Sequence, residues 1–393
     1  MKRRMKGLLL TAMAFLLLAQ TAFAGDFLFG EETKGFNAKI SEDTDMTVRL
    51  LLQPRLDFGD TIKSKDGKSY ESSSDTYLRR MRLEISGSFF TKAIKYNLTL
   101  AADNVDKAGV ANAITVHYAY VEWDPAAAFG IRFGKERLPY SRIALTSDTK
   151  QLLIERPVSV EDAKKLFGKT DAYYQPAITV KGHVAGGTVA YEAAAADGWQ
   201  NGEAVHTGRT VFKANPVVMA RLEFSPPGLT ENKKSDAPLG VGRHLTLGID
   251  VANQSGIEYK ENNFKEKRTL FGADLSGHYE GLTGQVEYNG WKVDSGEPAI
   301  GKTEPRGWYA QAGWFIKGYN IEPAVRYEVY DQDSNKSGMK EKSTTTGVNW
   351  YGKGHSFKVG FNRVTTEYEK NAVGRLANDD RKNVYQIQTQ LYF

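Results

Sequence analysis

The last eleven residues of the chain alternate between two kinds of side chain. Tyr385, Ile387, Thr389, Leu391 and Phe393 share one parity, and three glutamines share the other. A period of two predicts a β-strand with one apolar face and one amide face. Free chain ends fray, so a soluble domain rarely ends within a strand, whereas a barrel must hydrogen-bond its last strand to its first. The pattern therefore predicts the closing strand of a transmembrane β-barrel.

The first 24 residues have the three regions of a secretory signal peptide. A basic start precedes an apolar stretch from Leu8 to Ala19, which is too short to span a bilayer, and the cleavage signature Ala22-Phe23-Ala24 follows. We expect a signal peptide over residues 1–24, a polar periplasmic lead over residues 25–45 and the barrel over residues 46–393. Such a protein is exported through the periplasm to the bacterial outer membrane.

The balance of charge gives no reason to expect a nucleic-acid partner. The whole chain has 52 basic and 47 acidic residues, a formal net charge of +5. The predicted signal peptide holds four of the basic residues and no acidic one, which leaves 48 basic against 47 acidic residues in the mature chain. A chain this close to neutrality lacks the basic excess that suggests nucleic-acid binding.

The residue types that usually carry chemistry are missing or scattered. Cysteine is absent, which rules out disulfides, thiolate metal sites and covalent haem attachment on this chain. The six histidines are not spaced as metal ligands, and no combination of serine, histidine and aspartate stands out as a nucleophile with its base. We expect no metal, no cofactor and no enzymatic activity.

Alternating segments recur along the chain after residue 45. Between Met46 and Phe58, apolar residues share one parity, while Arg49, Gln53 and Arg55 share the other. This is the pattern of a strand between lipid and a polar lumen. About 16 such segments are joined by connections that alternate between short and long, as periplasmic turns and external loops do in outer-membrane barrels. One connection, residues 225–243, is long where a short turn is expected.

Three stretches resemble the phosphate-selective porins O and P. They are the paired-arginine strand YLRRMRLEISG at 77–87, the series YAYVEW, IRFGK and LPYS between 118 and 141, and LLIERP at 152–157. The resemblance is specific over about residues 76–200. It implies a 16-stranded channel in the outer membrane, usually a trimer.

The longest connection, Leu138 to Tyr174, follows the fifth strand and is therefore the third external loop. Loops of this length usually have a function or are disordered. In a general porin this loop folds inward and narrows the lumen, and the resemblance implies the same here. A loop exposed to solvent is the alternative that the sequence leaves open.

Basic residues of inward parity, together with cations of the third loop, form the candidate pore-lining and solute-binding set. The set is Arg49, Arg55, Arg80, Arg82, Lys95, Arg132, Arg142, Lys150 and Arg156. Inward acidic residues nearly balance the inward basic residues, and most of them fall on later strands. An anion filter needs a ring or ladder of one sign, so the sequence leaves a preference for anions or phosphate open.

The sequence thus predicts an all-β outer-membrane porin through which small hydrophilic solutes diffuse passively. Expected partners are outer-membrane lipid, further copies in a homotrimer, small anionic or hydrophilic solutes, and the barrel-assembly machinery, which would recognise the strand ending at Phe393.

Two alternatives remain open. The barrel could be a structural sheath for a trans-outer-membrane electron-transfer complex of multihaem cytochromes, which would need an open lumen. It could also be a channel for organic acids or sugars. Aromatic residues would line the path of such a channel, with Tyr118, Tyr120, Trp291 and Tyr330 as candidates.

Overall fold

The computed structural model describes residues 35–168, 173–206, 209–231, 234–261 and 264–393. The predicted signal peptide lies outside these residues, so its assignment stays a prediction. In chain order the strands are β1 (Phe36–Lys39), β2 (Asp45–Lys63), β3 (Tyr70–Phe89), β4 (Thr91–Val105), β5 (Thr115–Ala126), β6 (Phe129–Arg137), β7 (Tyr174–Val184), β8 (Val189–Ala196), β9 (Ala204–His206), β10 (Arg209–Lys213), β11 (Val217–Phe224), β12 (His244–Tyr259), β13 (Lys265–Tyr279), β14 (Leu282–Asp294), β15 (Lys302–Thr303), β16 (Arg306–Trp314), β17 (Ile321–Asp331), β18 (Lys340–Lys353), β19 (Phe357–Tyr368) and β20 (Arg381–Tyr392).

Sixteen of these strands close into one antiparallel barrel: β2–β8, β11–β14 and β16–β20. Closure comes from β20 beside β2, where Leu52 faces Leu391 and Phe58 faces Tyr385. At the end of this seam Leu50 N donates to Phe393 O at 2.7 Å. The prediction of an all-β transmembrane barrel of about 16 strands is confirmed.

Strand β12 shows how the sequence pattern becomes a barrel wall. Leu245, Leu247 and Ile249 are exposed on the outer surface, while Thr246 and Asp250 between them are buried inside. Because successive side chains of a strand point to opposite faces, one parity meets lipid and the other meets the lumen. The polar parity is therefore available for contacts within the barrel.

Four short strands lie outside the ring of sixteen. Strand β1 pairs with the start of β2, with Phe36 opposite Val48. It therefore lies along the part of the β2 edge that precedes the residues paired with β20. It falls within residues 25–45, for which we expect a polar periplasmic lead. Strands β9 and β10 pair with each other between β8 and β11, and β15 pairs with the end of β14.

The connection between β6 and β7, residues 138–173, is called loop L3 below. It contains two short helices, α1 (Arg142–Leu145) and α2 (Val158–Ala163). Ser141 caps α1, because its Oγ accepts a hydrogen bond from Ala144 N at 3.2 Å. Across the described ranges, no helix is long and apolar enough to cross a membrane.

Candidate functional site

A β-bulge in β3 turns two successive arginines toward the lumen. Gln53 of β2 faces Arg80, but the next pair involves Leu78, which leaves Arg79 as an extra residue. Strict alternation would send Arg79 to the lipid face, whereas the bulge re-aims its side chain. Arg79 Nε donates to Glu155 Oε1 of L3 at 2.6 Å, and Arg80 Nη2 lies 3.8 Å from Glu155 Oε2.

Two carboxylates of L3, Asp148 and Glu155, gather the arginines of β2 and β3. Glu155 also pairs with Arg55. Asp148 pairs with Arg82 and accepts a hydrogen bond at 2.5 Å from Arg156 Nη1 of the same loop. We call this set of five guanidinium groups and four carboxylates the arginine cluster: Arg55, Arg79, Arg80, Arg82, Arg156, Asp57, Asp103, Asp148 and Glu155.

The arginines keep both loop carboxyls ionised. Burial alone would raise the pKa of Asp148, but Arg156, Arg80 and Arg82 outweigh it and hold this pKa well below its ordinary value of 3.8. Burial also opposes ionisation of Glu155, and its guanidinium neighbours hold its pKa well below 4.5. These two loop carboxylates therefore partly neutralise the arginine cluster at neutral pH.

The middle of L3 is tied to strands on both sides of the barrel seam. Gln390 of β20 donates to Thr149 O at 3.1 Å, and Gln53 of β2 donates to Gln390 Oε1 at 2.8 Å. Lys358 of β19 donates to Gln151 O at 2.9 Å. These contacts place the loop inside the barrel. Its middle lies against β2, β19 and β20, which are not the strands that it connects.

Inward-facing glycines on β16 and β18 make room for apolar side chains of L3. A Cβ on Gly313 would lie 2.5 Å from Leu152 Cδ1, and a Cβ on Gly347 would lie 2.9 Å from Leu153 Cδ2. Beside them, Asn349 Nδ2 donates to Leu152 O at 2.6 Å. Glycine in a strand often marks such a close approach.

Apolar side chains at inward positions mark where the rest of L3 packs. Met219, Leu270 and Trp291 belong to one buried cluster that also contains Val160 of α2. Trp291 stacks on Tyr330 with 5.7 Å between ring centroids, and both rings are buried. Two of the four aromatic candidates for a solute path are therefore covered by packing.

The long connection between β11 and β12, residues 225–243, reaches L3 from the short-turn side of the barrel and is called T4 below. Arg142 Nη1 of α1 lies 2.6 Å from Asp236 Oδ1, and Nη2 lies 2.8 Å from Glu231 Oε1. Asp236 N donates to Lys150 O at 3.1 Å. The unexpected length of T4 thus has a structural counterpart, since T4 supports α1 from below.

L3 covers the acidic part of the barrel wall. Glu287 of β14 accepts a hydrogen bond from Ser141 Oγ at 2.5 Å, while Asp250 and Asp274 lie 2.9 and 2.7 Å from Arg221 Nη1. These three acids are at most 2% exposed. A solute in the lumen does not meet them directly.

On the opposite wall, the half of β4 and β5 nearest the short turns is open, whereas Thr99, Ala101 and His117 nearer the long loops are buried. Among the described residues, no hydrogen bond or ion pair joins L3 to these two strands. A cavity of about 450 Å³ opens beside them, and its lining includes Glu84, Lys95, Asn97, Tyr120 and Glu122. The open part of the lumen therefore lies on this side.

Cations also stand beside the two remaining aromatic candidates. The Arg132 guanidinium lies 4.9 Å from the ring centroid of Tyr120, and that of Arg137 lies 5.6 Å from Tyr118. Arg137 Nη1 donates to Leu145 O of L3 at 2.6 Å. Cation–π contacts of this kind hold guanidinium groups flat against a wall.

Five predicted site residues lie outside the arginine cluster. Arg49 Nη1 is 3.1 Å from Glu84 Oε1, and Lys95 Nζ is 2.8 Å from Asp124 Oδ2. Arg132 pairs with three glutamates of β5, β6 and β8. Arg142 contacts T4 as described, and the side chain of Lys150 has no ion pair among the described residues.

Sequence reasoning missed Arg79, Arg137 and the two carboxylates of L3. Three arginines within the four positions 79–82 signal a break in alternation, since a regular strand cannot turn neighbours to the same side. No comparable signal singles out Asp148 or Glu155. Their role depends on the path of the loop.

The described residues contain no group of three or more histidine, aspartate or glutamate side chains arranged to hold a metal ion. The lumen is crossed by L3, whereas a sheath around cytochromes would need it open. The sheath hypothesis therefore gains no support.

A closed 16-stranded barrel with its third loop inside is the architecture of a porin, an outer-membrane channel for small solutes. The chain belongs to the family described as Phosphate-selective porin O and P, whose match covers residues 48–393. The predicted resemblance is thereby confirmed. An uncharacterized protein of Aquifex aeolicus (strain VF5) is 36% identical over an alignment 392 positions long. The alignment covers 92% of this chain and 91% of that protein.

Solved structures share the fold at low identity. An anion-selective porin from Comamonas acidovorans is 13% identical with a TM-score of 0.60, and the match covers 89% of this chain and all of that one. The trimer form of OmpT from Vibrio cholerae is 10% identical with a TM-score of 0.57, covering 90% of this chain and all of the other. Family and fold point to a channel rather than an enzyme.

Proposed function

We propose that this porin prefers anions and that solutes pass between L3 and the wall of β4 and β5. The arginine cluster carries the proposal, because five guanidinium groups face four carboxylates at the edge of the open side. Arg79 and Arg82 keep 15% and 13% of their side-chain surface accessible, and Glu155 and Asp103 keep 27% and 34%, whereas the acids beneath L3 are closed off. Fixed charge of one sign beside a narrow path selects for the opposite ion.

Three further cations favour the same sign. Arg137, Arg326 and Lys358 donate to backbone oxygens of Leu145, Glu155 and Gln151, respectively. None has an ion pair among the described residues, and since Arg326 and Lys358 are only 5% and 6% exposed, these two contribute to the field of the lumen rather than to direct contact with a solute. Membership of a family named for phosphate selectivity, and a fold shared with an anion-selective porin, agree with this preference.

The deciding experiment measures the reversal potential of single channels in planar bilayers under a KCl gradient. We expect a potential of the sign given by chloride permeation, and a fall in chloride current when phosphate is added. A potential of the opposite sign would leave the porin intact and overturn the anion preference.

The proposed path can be tested separately, because the chain contains no cysteine. Asn97→Cys on β4 places a single thiol on the open side, and Leu98→Cys, one residue on, places it on the outer face. A charged thiol reagent should reduce the conductance of Asn97→Cys and leave that of Leu98→Cys unchanged. Equal effects on both variants would place the path elsewhere.

We further infer that three copies assemble, that the chain is exported through the periplasm and that its last strand is the element read by the barrel-assembly machinery. The trimer form of OmpT supports the first inference. Cross-linking of the detergent-extracted protein should give a trimeric band, and a monomer alone would contradict it.

A further inference from the structure

The outer face of three adjacent strands carries a block of polar residues. In register across β18, β19 and β20, its rows are Lys342, Glu367 and Arg381; Thr344, Thr365 and Asn383; and Thr346, Arg363 and Tyr385. The residues between them along the strands, such as Glu341, Ser343 and Thr366, are buried inside the barrel. The nine members therefore point toward the membrane. We call them the outward polar block.

The surroundings of this block are apolar on β17 and aromatic at its base, while Asp60 of β2 accepts a hydrogen bond from Asn383 N at 2.8 Å. On the neighbouring strand β17, Val329, Tyr327 and Val325 occupy the same three rows. On the other side Phe58 stacks on Tyr385 with 5.1 Å between centroids, and Phe361 lies 6.4 Å from the same ring. Outward aromatic rings mark the boundary between hydrocarbon and headgroups. The block extends from that boundary toward the long loops, at the depth of outer-leaflet headgroups.

The block contains three cations and one anion. Lys342 and Arg363 are exposed and have no ion pair among the described residues. Arg381 Nε lies 3.8 Å from Glu367 Oε1, and more than half of each side chain is exposed. Charged residues on a lipid-facing wall are tolerated only near the boundary, where headgroups can reach them.

A cavity of about 350 Å³ adjoins the top row. It is lined by Lys342, Glu367, Tyr368, Glu369, Asp380 and Arg381. Its three acids disfavour a bare anion inside the cavity. Lys342 and Arg363 therefore form the anchoring pair, with the hydroxyls of Thr344 and Thr346 between them on β18 as additional donors.

We propose that the outward polar block binds the anionic headgroup of an outer-leaflet glycolipid. Two unpaired cations and neutral hydroxyl donors match phosphate or carboxylate groups on a sugar, while the stacked rings below match acyl chains. The site lies on the outside of the barrel and is independent of the solute path.

The test uses the full-length protein in detergent and diphosphorylated lipid A as the probe. The variant Lys342→Gln with Arg363→Gln removes the anchoring pair. The matched control, Lys317→Gln with Lys353→Gln, removes two charges at the short-turn end of the barrel. We expect the first variant to bind the probe about tenfold more weakly than the wild type, and the control to bind it equally well.

Circular dichroism and wild-type conductance verify that both variants are folded, since all four residues lie away from the lumen. Wild-type affinity in the first variant would overturn the proposal, as would an equal loss in the control. Ready displacement of the probe by inorganic phosphate would also overturn it, because the site would then recognise a free anion rather than a lipid.

Discussion

Glu155 is the loop residue with the most contacts to wall arginines in the proposed path, because Arg55, Arg79 and Arg80 all approach its carboxylate. The carboxylate of this one loop residue thus partly offsets the positive charge of three arginines of the barrel wall. Counting the arginines along a strand sequence therefore overestimates the positive field that a solute meets, because carboxylates of the loop pair with those arginines. The proposed anion preference depends on the difference between two nearly equal sets of charges.

Glu155→Gln should increase that difference. Removing one negative charge beside the aqueous path should raise the ratio of chloride to potassium permeability roughly twofold, the effect of one charge at several ångströms in water. The reversal potential under a KCl gradient measures this ratio.

Glu367→Gln is the control for this change, because Glu367 faces outward and is 58% exposed. Its permeability ratio should equal that of the wild type. An unchanged ratio in Glu155→Gln would mean that solutes do not pass the arginine cluster.

Asp148 predicts a pH dependence of stability whose sign follows from its lowered pKa. A carboxyl with a lowered pKa in the folded state stabilises it fully above the unfolded value, near 3.8, and loses that contribution as pH falls through the folded value. Asp148→Asn should cost about 3–5 kcal/mol, because it leaves buried arginines without a partner.

Thermal unfolding of both proteins in detergent, followed by circular dichroism, checks this prediction. The gap between wild type and Asp148→Asn should stay constant from about pH 7 to about pH 5 and shrink only below the unfolded value. A gap that stays constant as the pH falls well below 3.8 would show that the pKa of Asp148 is not lowered in the folded state.

At this scale the sequence predicted a set of nine pore-lining cations, and the structure brings four of their side chains together: Arg55, Arg80, Arg82 and Arg156. Parity could identify inward residues because a strand has only two faces. Alternation did not identify Arg79 as inward, because a bulge adds one residue to the strand and changes which face the neighbouring side chains point to. The roles of the loop residues could not follow from local pattern.

Loop L3 packs as one unit against the barrel wall, because glycines of the wall leave room for its side chains. Gly313→Val should displace Leu152 and loosen the loop, since its Cβ would lie 2.5 Å from Leu152 Cδ1. We expect faster trypsin cleavage after Lys150 and a noisier single-channel current. Overpacking in a well-packed site typically costs about 1–3 kcal/mol.

Gly284→Val is the matched control on β14. Its Cβ would find only Gln311 O, at 3.9 Å, so the change should be tolerated. Equal protease sensitivity in the two variants would show that the fit between Gly313 and Leu152 does not hold the loop.

The sequence predicted that L3 exists, that it is the third external loop and that T4 is too long for a turn. It could not predict that T4 meets α1, because the contact of Arg142 with Asp236 joins residues 94 positions apart. Inward apolar residues such as Trp291 could have indicated that part of the chain packs inside the lumen. A polar lumen has no use for them unless something packs there.

The barrel as a whole depends on its seam. Gly59 has a positive φ of +112°, and a Cβ there would lie 2.6 Å from Asn383 O of β20. Gly59→Val should therefore weaken closure and lower the temperature at which the folded gel band converts to the unfolded one. Gly67→Val is the control, because Gly67 also has a positive φ, +69°, but no atom within 4 Å of its Cβ. Equal shifts in both variants would attribute the effect to backbone strain alone.

The same seam joins strands that lie at opposite ends of the chain, and Gln53, Gln390 and the carbonyl of Thr149 meet across it. The constriction can therefore be completed only after the first and last strands have found each other. A barrel released before closure would lack this anchor and would leak. Assembly and permeability are thus coupled by one hydrogen-bonded junction, so a pore whose seam has not closed should also lack its full constriction.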